Sequence, residues 1–211
     1  MPEDESYWIH RKKDDKRLDW RMGEKNWIEG YWLSRFHPHR ELILQELREI
    51  YPFKSLIEIG CNCGPNLFRI QKEFPKVKLA GLDVNFLALE EGKKRLPKVD
   101  FYIESAENFS IPDKTFDVCL TDAVLIYAPP EKIVKTLRNL IRITKKALIL
   151  VEWKGKDMFG KVEYGHWARD YKTLFRKIFK IKKVKERKIK QEEWPSKNWT
   201  EKGYIFTVHL Q

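Results

Sequence analysis

The chain has 211 residues, 42 of them Lys or Arg against 31 Asp or Glu, for a formal net charge of +11; that length suits one globular domain with a sizeable core. No stretch approaches the roughly 18 uninterrupted apolar residues of a membrane span, and the acidic start MPEDESYWIH lacks the apolar centre of a signal peptide. Three cysteines, two of them only two positions apart, make no disulfide framework, so the composition predicts a reduced, cytoplasmic protein. The charge is uneven. Residues 172–190 hold ten Lys or Arg, with Glu186 as the one acid, which reads either as a solvated Lys-rich surface or as a patch for RNA, an anionic membrane or an acidic substrate.

In chain order, residues 1–36 are polar but carry Tyr7, Trp8, Trp20, Trp27, Tyr31 and Trp32 without a clean period, which predicts short helices or a flap. HPHRELILQELREI follows, with Leu42, Ile43, Leu47 and Ile50 at helical spacing and Pro38 suited to a helix start. SLIEIG predicts a short buried strand, and Pro65 opens a helix over PNLFRIQKEF. VKLAGLDV predicts a second strand, and NFLALEEGKKRL a helix capped by Asn85. DFYIES and FDVCLTDA read as strands, PEKIVKTLRNLIRIT as a helix with Ile133, Leu137, Leu140 and Ile141 on one face, and KALILVEW as a buried strand. HWARDYKTLFRKIF predicts a helix, then KIKKVKERKI and GYIFTVHL two closing strands. Such alternation predicts an α/β fold, a doubly wound and mainly parallel sheet covered on both faces. Ligands of these sheets bind outside the carboxyl ends of the strands, where residues 57–67, IEIGCNCGPNL, fall.

That stretch is open to two readings, a metal or redox site on Cys61 and Cys63 or a backbone loop shaped around a ligand. Gly60 and Gly64 permit close approach and unusual dihedrals, Asn62 tolerates a left-handed conformation, and Pro65 needs no amide partner in a first turn. A metal site wants two further ligands at recognisable spacing, and no other Cys or His lies near, so no metal is expected. A dinucleotide fingerprint G-x-G-x-x-G would set Gly60, Asn62 and Pro65 in register and fail at two of its three glycines.

Glu58-Ile59-Gly60-Cys61-Asn62-Cys63-Gly64 instead resembles the E/D-x-G-x-G-x-G motif of class I S-adenosylmethionine-dependent methyltransferases, with Asn62 in place of the middle glycine. Asp83 follows Gly64 by 19 residues, where a carboxylate can take both hydroxyls of a ribose. SAENFSIPDKTFDVCLTDAVLIYAPPEKI is similar to the family's third-strand loop, fourth strand and following helix. The resemblance covers residues 37–152 and the closing strands in outline. It implies a seven-stranded sheet with its last strand antiparallel in a domain over 37–211, with residues 1–36 as an N-terminal helical, aromatic flap.

The resemblance further implies S-adenosylmethionine as cofactor, bound by Glu58, Gly60, Cys61, Asn62, Gly64, Asp83, Val84, Ser105, Ala106, Glu107, Thr121 and Asp122. The family's acidic adenine contact after strand three falls on Ser105, with Glu107 or the Ala106 amide as substitutes. Its frequent two-histidine segment after strand four is Ile126-Tyr127, and its adenine-amine tetrapeptide N/D-P-P-Y/F is absent, which argues against base-amino methylation by that route. Asp122, Tyr127 and His166 are the catalytic candidates. Asp122 is read as an acceptor-side base or a loop residue bonding nearby amides, and His166 as a base or a helix cap. Arg169, Asp170 and Tyr171 fall in a region that commonly faces substrate; Tyr31, Trp32, His37 and His39 fall in the segment that often closes over the cofactor. The expected acceptor is a small molecule. RNA or protein methylation through 172–190, or a non-catalytic domain that keeps the ligand, are the alternatives.

Overall fold

A computed structural model describes residues 5–13 and 26–210. β1 (Ser55–Ile59), β2 (Lys78–Asp83), β3 (Asp100–Ile103), β4 (Phe116–Asp122), β5 (Thr144–Trp153), β8 (Val184–Lys188) and β9 (Gly203–His209) form one sheet in the order β3-β2-β1-β4-β5-β9-β8. The first five are parallel, and β9 runs antiparallel to both its neighbours, so it alone opposes the other six. β6 (Lys161–Glu163) and β7 (His166–Ala168) make a separate hairpin.

Side-chain alternation explains why these strands read as near-continuous apolar runs. Leu56 of β1, Val118 and Leu120 of β4, and Ile149 and Val151 of β5 pack on one face with α3 (His39–Ile50), α4 (Pro65–Glu73) and α5 (Phe86–Arg95). Their neighbours Ile57, Ile59, Cys119, Leu148 and Leu150 pack on the other with α6 (Pro130–Ile143) and α7 (Tyr171–Ile178). A strand buried on both faces has no polar face to show. The stripe of α6, with Ile133, Leu137, Leu140 and Ile143 all buried, is worth about 1.5–3 kcal/mol per side chain in removal from water. Asn85 caps α5 as its residue type predicts, accepting from the Ala88 amide at 2.9 Å.

Two expectations change. The helix expected from His166 begins at Tyr171, after a two-residue turn in which Tyr164 (φ 48°) and Gly165 (φ 81°) are both left-handed. That geometry closes a hairpin, and Asp170, accepting from the Thr173 amide at 3.0 Å, sets the later helix start. The N-terminal aromatics lie on α1 (Glu5–Ile9) and α2 (Trp27–Leu33), both at the cleft end of the sheet; Trp20 lies outside the described residues. A short α8 (Lys197–Lys202) precedes β9. Among the described residues no helix is long and apolar enough to cross a membrane.

Candidate functional site

The turn between β1 and α4 is built from backbone. Gly60 (φ 71°), Asn62 (φ 52°) and Gly64 (φ 82°) all take positive φ. A Cβ on Gly60 would meet Val124 Cγ2 at 2.3 Å, so the chain passes the loop after β4 at a distance only glycine allows. Cys61 and Cys63 are fully buried, Cys61 against Gly81 and Cys63 beneath α2. Burial pushes the Cys61 thiol well up and the Cys63 thiol to about 12, so neither offers a thiolate at neutral pH. Among the described residues no group of three or more His, Cys, Asp or Glu is placed to hold a metal ion.

Above the loop opens a cleft of about 940 Å³, including space open to solvent, lined at the strand ends by Gly60, Asn62, Asp83, Val84, Glu104, Ala106, Glu107 and Asp122. Asp83 ends β2 with each carboxylate oxygen taking one amide: Oδ2 from Asn62 and Oδ1 from Asn85, both at 2.8 Å. Burial raises this carboxyl, and the amide bonds from Asn85, Asn62 and Val84 oppose the rise. A carboxylate has roughly four lone-pair directions, so these amides leave acceptor capacity for a hydroxyl donor in the cleft.

Asp122 ends β4 in a network that runs back to α3 and α4. Its Oδ2 accepts from His39 Nε2 (2.9 Å), Asn66 Nδ2 (2.9 Å) and Arg40 Nη1 (3.2 Å). Burial alone would raise this acid, but the charge and hydrogen bond of His39, with Arg40 and Asn66, hold it well below the usual carboxylate range. Its Oδ1 is buried, has no partner among the described residues, and belongs to a side chain that lines the cleft. Glu58, by contrast, is pushed up to about 8 by burial, against the opposing bond from Asn66 Nδ2 at 2.7 Å.

The wall after β4 is held from both sides by buried charges. Glu152 accepts from Thr121 Oγ1 and from the amides of Val124, Leu125 and Ile126 at 2.8–3.2 Å. Arg169 donates to the carbonyls of Leu125, Ala128 and Phe159. The amides and carbonyls of one short loop are thus satisfied by one carboxylate and one guanidinium, which fixes the wall carrying Tyr127. His166 lies behind that wall, its ring 5.0 Å from those of Tyr127 and Trp153. Its Nδ1 is 2.9 Å from the Gly165 carbonyl; a carbonyl only accepts, so Nδ1 carries a proton and a neutral ring has its lone pair on Nε2.

α1 roofs the cleft with Glu5 and Trp8. Trp8 packs edge-on against Tyr127 (5.3 Å) and Tyr31 (6.3 Å). Asn85 Nδ2 ties the roof down, donating to the carbonyls of Trp8 (2.8 Å) and Arg11 (3.2 Å).

Of the residues expected at the cofactor, Gly60, Asn62, Asp83, Val84, Ala106, Glu107 and Asp122 line the cleft, as does the catalytic candidate Tyr127. Glu58, Cys61, Gly64, Ser105, Thr121 and His166 do not. Glu58 faces Asn66, Gly64 caps α4, and Thr121 serves Glu152. β3 ends at Ile103, so the acid in the cleft is Glu104, one position before Ser105, whose hydroxyl accepts from the Glu107 amide. Arg169 and Tyr171 are fully buried, not substrate-facing. Asn66, Arg40 and Glu152 were missed, and no local pattern in the sequence marks them.

Sheet order, glycine turn and the carboxylate closing β2 define a Rossmann-like protein of the class I methyltransferase type. A family model described as a methyltransferase domain matches residues 56–147. It is 25% identical over 126 residues to malonyl-[acyl-carrier protein] O-methyltransferase 1 of Ilyobacter polytropus (57% of this chain, 43% of that protein). It is 29% identical over 99 residues to trans-aconitate 2-methyltransferase of Methylobacterium radiotolerans (46% and 38%). The match therefore spans less than half the length of these curated relatives. Among solved structures, the plantazolicin methyltransferase BpumL in complex with a triazolic desmethylPZN analog and SAH superposes with TM-score 0.63 at 16% identity, covering 86% of this chain and 89% of that one. The [4+2]-cyclase SpnF superposes with TM-score 0.62 at 14% identity, covering 81% and 80%, so the shared fold does not by itself name a reaction.

Proposed function

We propose that the chain is an S-adenosylmethionine-dependent methyltransferase acting on a small-molecule acceptor. The observation that carries this reading is the pairing of a side-chain-free turn at Gly60 with Asp83, a carboxylate at the end of β2 that lines the same cleft. Asp83 would hold the ribose hydroxyls, Glu104 and Glu107 the adenine end, and the ionised Asp122, through Oδ1, the ammonium of the methionine moiety. A carboxylate held by His39 and Arg40 makes a poor base and a good partner for a cation, so Asp122 is better suited to binding than to proton abstraction.

The bound donor supplies a methyl group on a sulfonium, with a neutral thioether as leaving group. The chain's own work is positioning and water exclusion. Trp8 and Tyr31 close the roof, and Tyr127 sets the wall on the acceptor side, with His166 behind it and outside the cleft lining. The reading of residues 1–36 as a flap draws support from the two bonds by which Asn85 ties α1 to the same turn that presents Asp83.

The run 172–190 gives no support to an RNA acceptor. Lys182 and Lys183 precede β8 at the opposite end of the sheet from the cleft, Lys185 pairs with Glu46 and Glu49, and Arg187 with Glu193. The test is transfer of label from methyl-labelled S-adenosylmethionine into whole-cell extract, fractionated by size with and without nuclease. Label in the low-mass, nuclease-insensitive fraction is expected; label in high-mass, nuclease-sensitive material overturns the small-acceptor reading.

A further inference from the structure

The cleft carries the opposite charge to the chain. Among the described residues five carboxylates line it, those of Glu5, Asp83, Glu104, Glu107 and Asp122, against one cation, Lys132. Lys132 is itself paired with Glu107 at 2.7 Å. Two of the neighbouring guanidiniums are held by hydrogen bonds, and the third, Arg11, by ring contacts with its Nε unpartnered among the described residues. Arg40 bonds Ser34, Asn66 and Asp122; Arg169 holds three carbonyls; Arg11 is buried among the rings of Tyr7, Trp8 and Trp27. An enzyme that methylates a carboxylate must bring a second anion beside these acids, and sites that do so present Arg or Lys to it. Among the described residues the cleft presents only Lys132, already paired with Glu107. Its remaining walls are aliphatic, from residues such as Leu82, Val84 and Leu125, and aromatic, with Trp8 in edge-to-face contact with Tyr31 and Tyr127, surfaces that accept neutral and cationic molecules and gain nothing from an anion.

We infer that the acceptor reacts through an uncharged group, an amine that has given up its proton, a hydroxyl or a ring nitrogen, and not through a carboxylate. The inference rests on the methyltransferase reading and separates this chain from two relatives whose names specify malonyl and aconitate acceptors. In the transfer a nitrogen–carbon or oxygen–carbon bond forms from the acceptor's lone pair. The sulfur–carbon bond breaks with its electron pair left on sulfur, and any proton the acceptor loses passes to water.

Two measurements on the full chain decide it. In the first, the low-mass extract fraction labelled from methyl-labelled S-adenosylmethionine is treated with mild alkali, which hydrolyses methyl esters to volatile methanol and leaves N-methyl amines and methyl ethers intact. Retention of the label in the non-volatile fraction is expected; its loss as methanol overturns the inference. In the second, the protein saturated with S-adenosylhomocysteine is titrated calorimetrically with trans-aconitate and with malonate. No saturable heat is expected, and saturable binding of either acid overturns the inference. If S-adenosylhomocysteine binds but no label is transferred to any fraction, the methyltransferase reading fails, and the second titration still decides whether the cleft rejects acids.

Discussion

The two ends of this sheet carry opposite chemistries. At the carboxyl ends of the strands lie the carboxylates and aromatic rings of the cleft. At the other end Lys54 precedes β1, Lys76 β2, Lys98 β3 and Lys114 β4, while Lys145 and Lys146 open β5 and Lys182 and Lys183 precede β8. Helices α3 to α7 finish at that same end, with Arg48, Lys72, Arg95, Arg142 and Arg176 in their last turns. A helix C-terminus presents unpaired carbonyls and the negative end of the macrodipole, and each cation there contributes about 0.3–1 kcal/mol. The bases named here belong to the scaffold, and the cleft meets its ligand with the reverse sign. A net charge read from sequence says little about a site until the strand direction is known.

That contrast can be broken most sharply at Gly60. Gly60→Ala places a Cβ 2.3 Å from Val124 Cγ2 on backbone with positive φ, a conformation costing about 1–2 kcal/mol for an L-residue before the overlap is counted. Binding of S-adenosylhomocysteine should fall by more than about tenfold with circular dichroism unchanged; wild-type affinity would mean the turn does not need its close approach. Next in size is the roof. Trp8→Ala removes a ring in contact with Tyr31 and Tyr127 and should cost about 0.5–2 kcal/mol of affinity for a cationic ligand. Protease should cut residues 5–13 slowly in the wild type with S-adenosylhomocysteine and quickly without it, whereas Trp8→Ala should lose that protection. Equal cutting in all four samples would make α1 ordinary packing.

A smaller effect concerns pH. Glu58 and Glu152 keep their protons to about 8 and about 7 because they are buried, whereas an unfolded glutamate releases its proton near 4.5. Between those values the folded chain holds more protons than the unfolded one, so stability falls as pH rises from about 5 to 8. Glu58→Gln cannot titrate, and its melting temperature should vary less over that range than the wild type's; identical pH profiles would mean Glu58 is already ionised. The smallest effect is expected at the basic end. Lys182→Gln with Lys183→Gln should leave S-adenosylhomocysteine affinity within about twofold, as distant surface changes usually stay near 0.5 kcal/mol. A larger change, tracking ionic strength, would make the scaffold's charge part of the site.

The fold was legible because both-face burial forces apolar runs and the helices keep their spacing. The turn at 60–64 was legible because Gly, Asn, Gly and Pro each answer a backbone demand at that place. Other parts depend on contacts that no local pattern encodes. Asp122 takes its partners from His39 and Arg40, more than eighty positions away. Glu152 sits in the run ALILVEW and reads as a strand end, yet its carboxylate organises the loop after the neighbouring strand. Arg169 reads as part of a substrate-facing helix, but three carbonyls draw it into the interior. At Ser105 the error is two residues of strand boundary, enough to put a hydroxyl where the cleft has the acid Glu104.

The central claim, that the cleft at Gly60 and Asp83 is built for an S-adenosyl ligand, is tested most directly by calorimetric titration of S-adenosylhomocysteine into the wild type and Asp83→Ala. Wild type should bind one ligand per chain. Asp83→Ala should lose the acceptor of two hydroxyl hydrogen bonds, about 1.5–3 kcal/mol where a charged partner is involved, and bind at least about tenfold more weakly with its fold intact. Equal affinity in the two proteins, or no saturable binding to the wild type, would contradict the account.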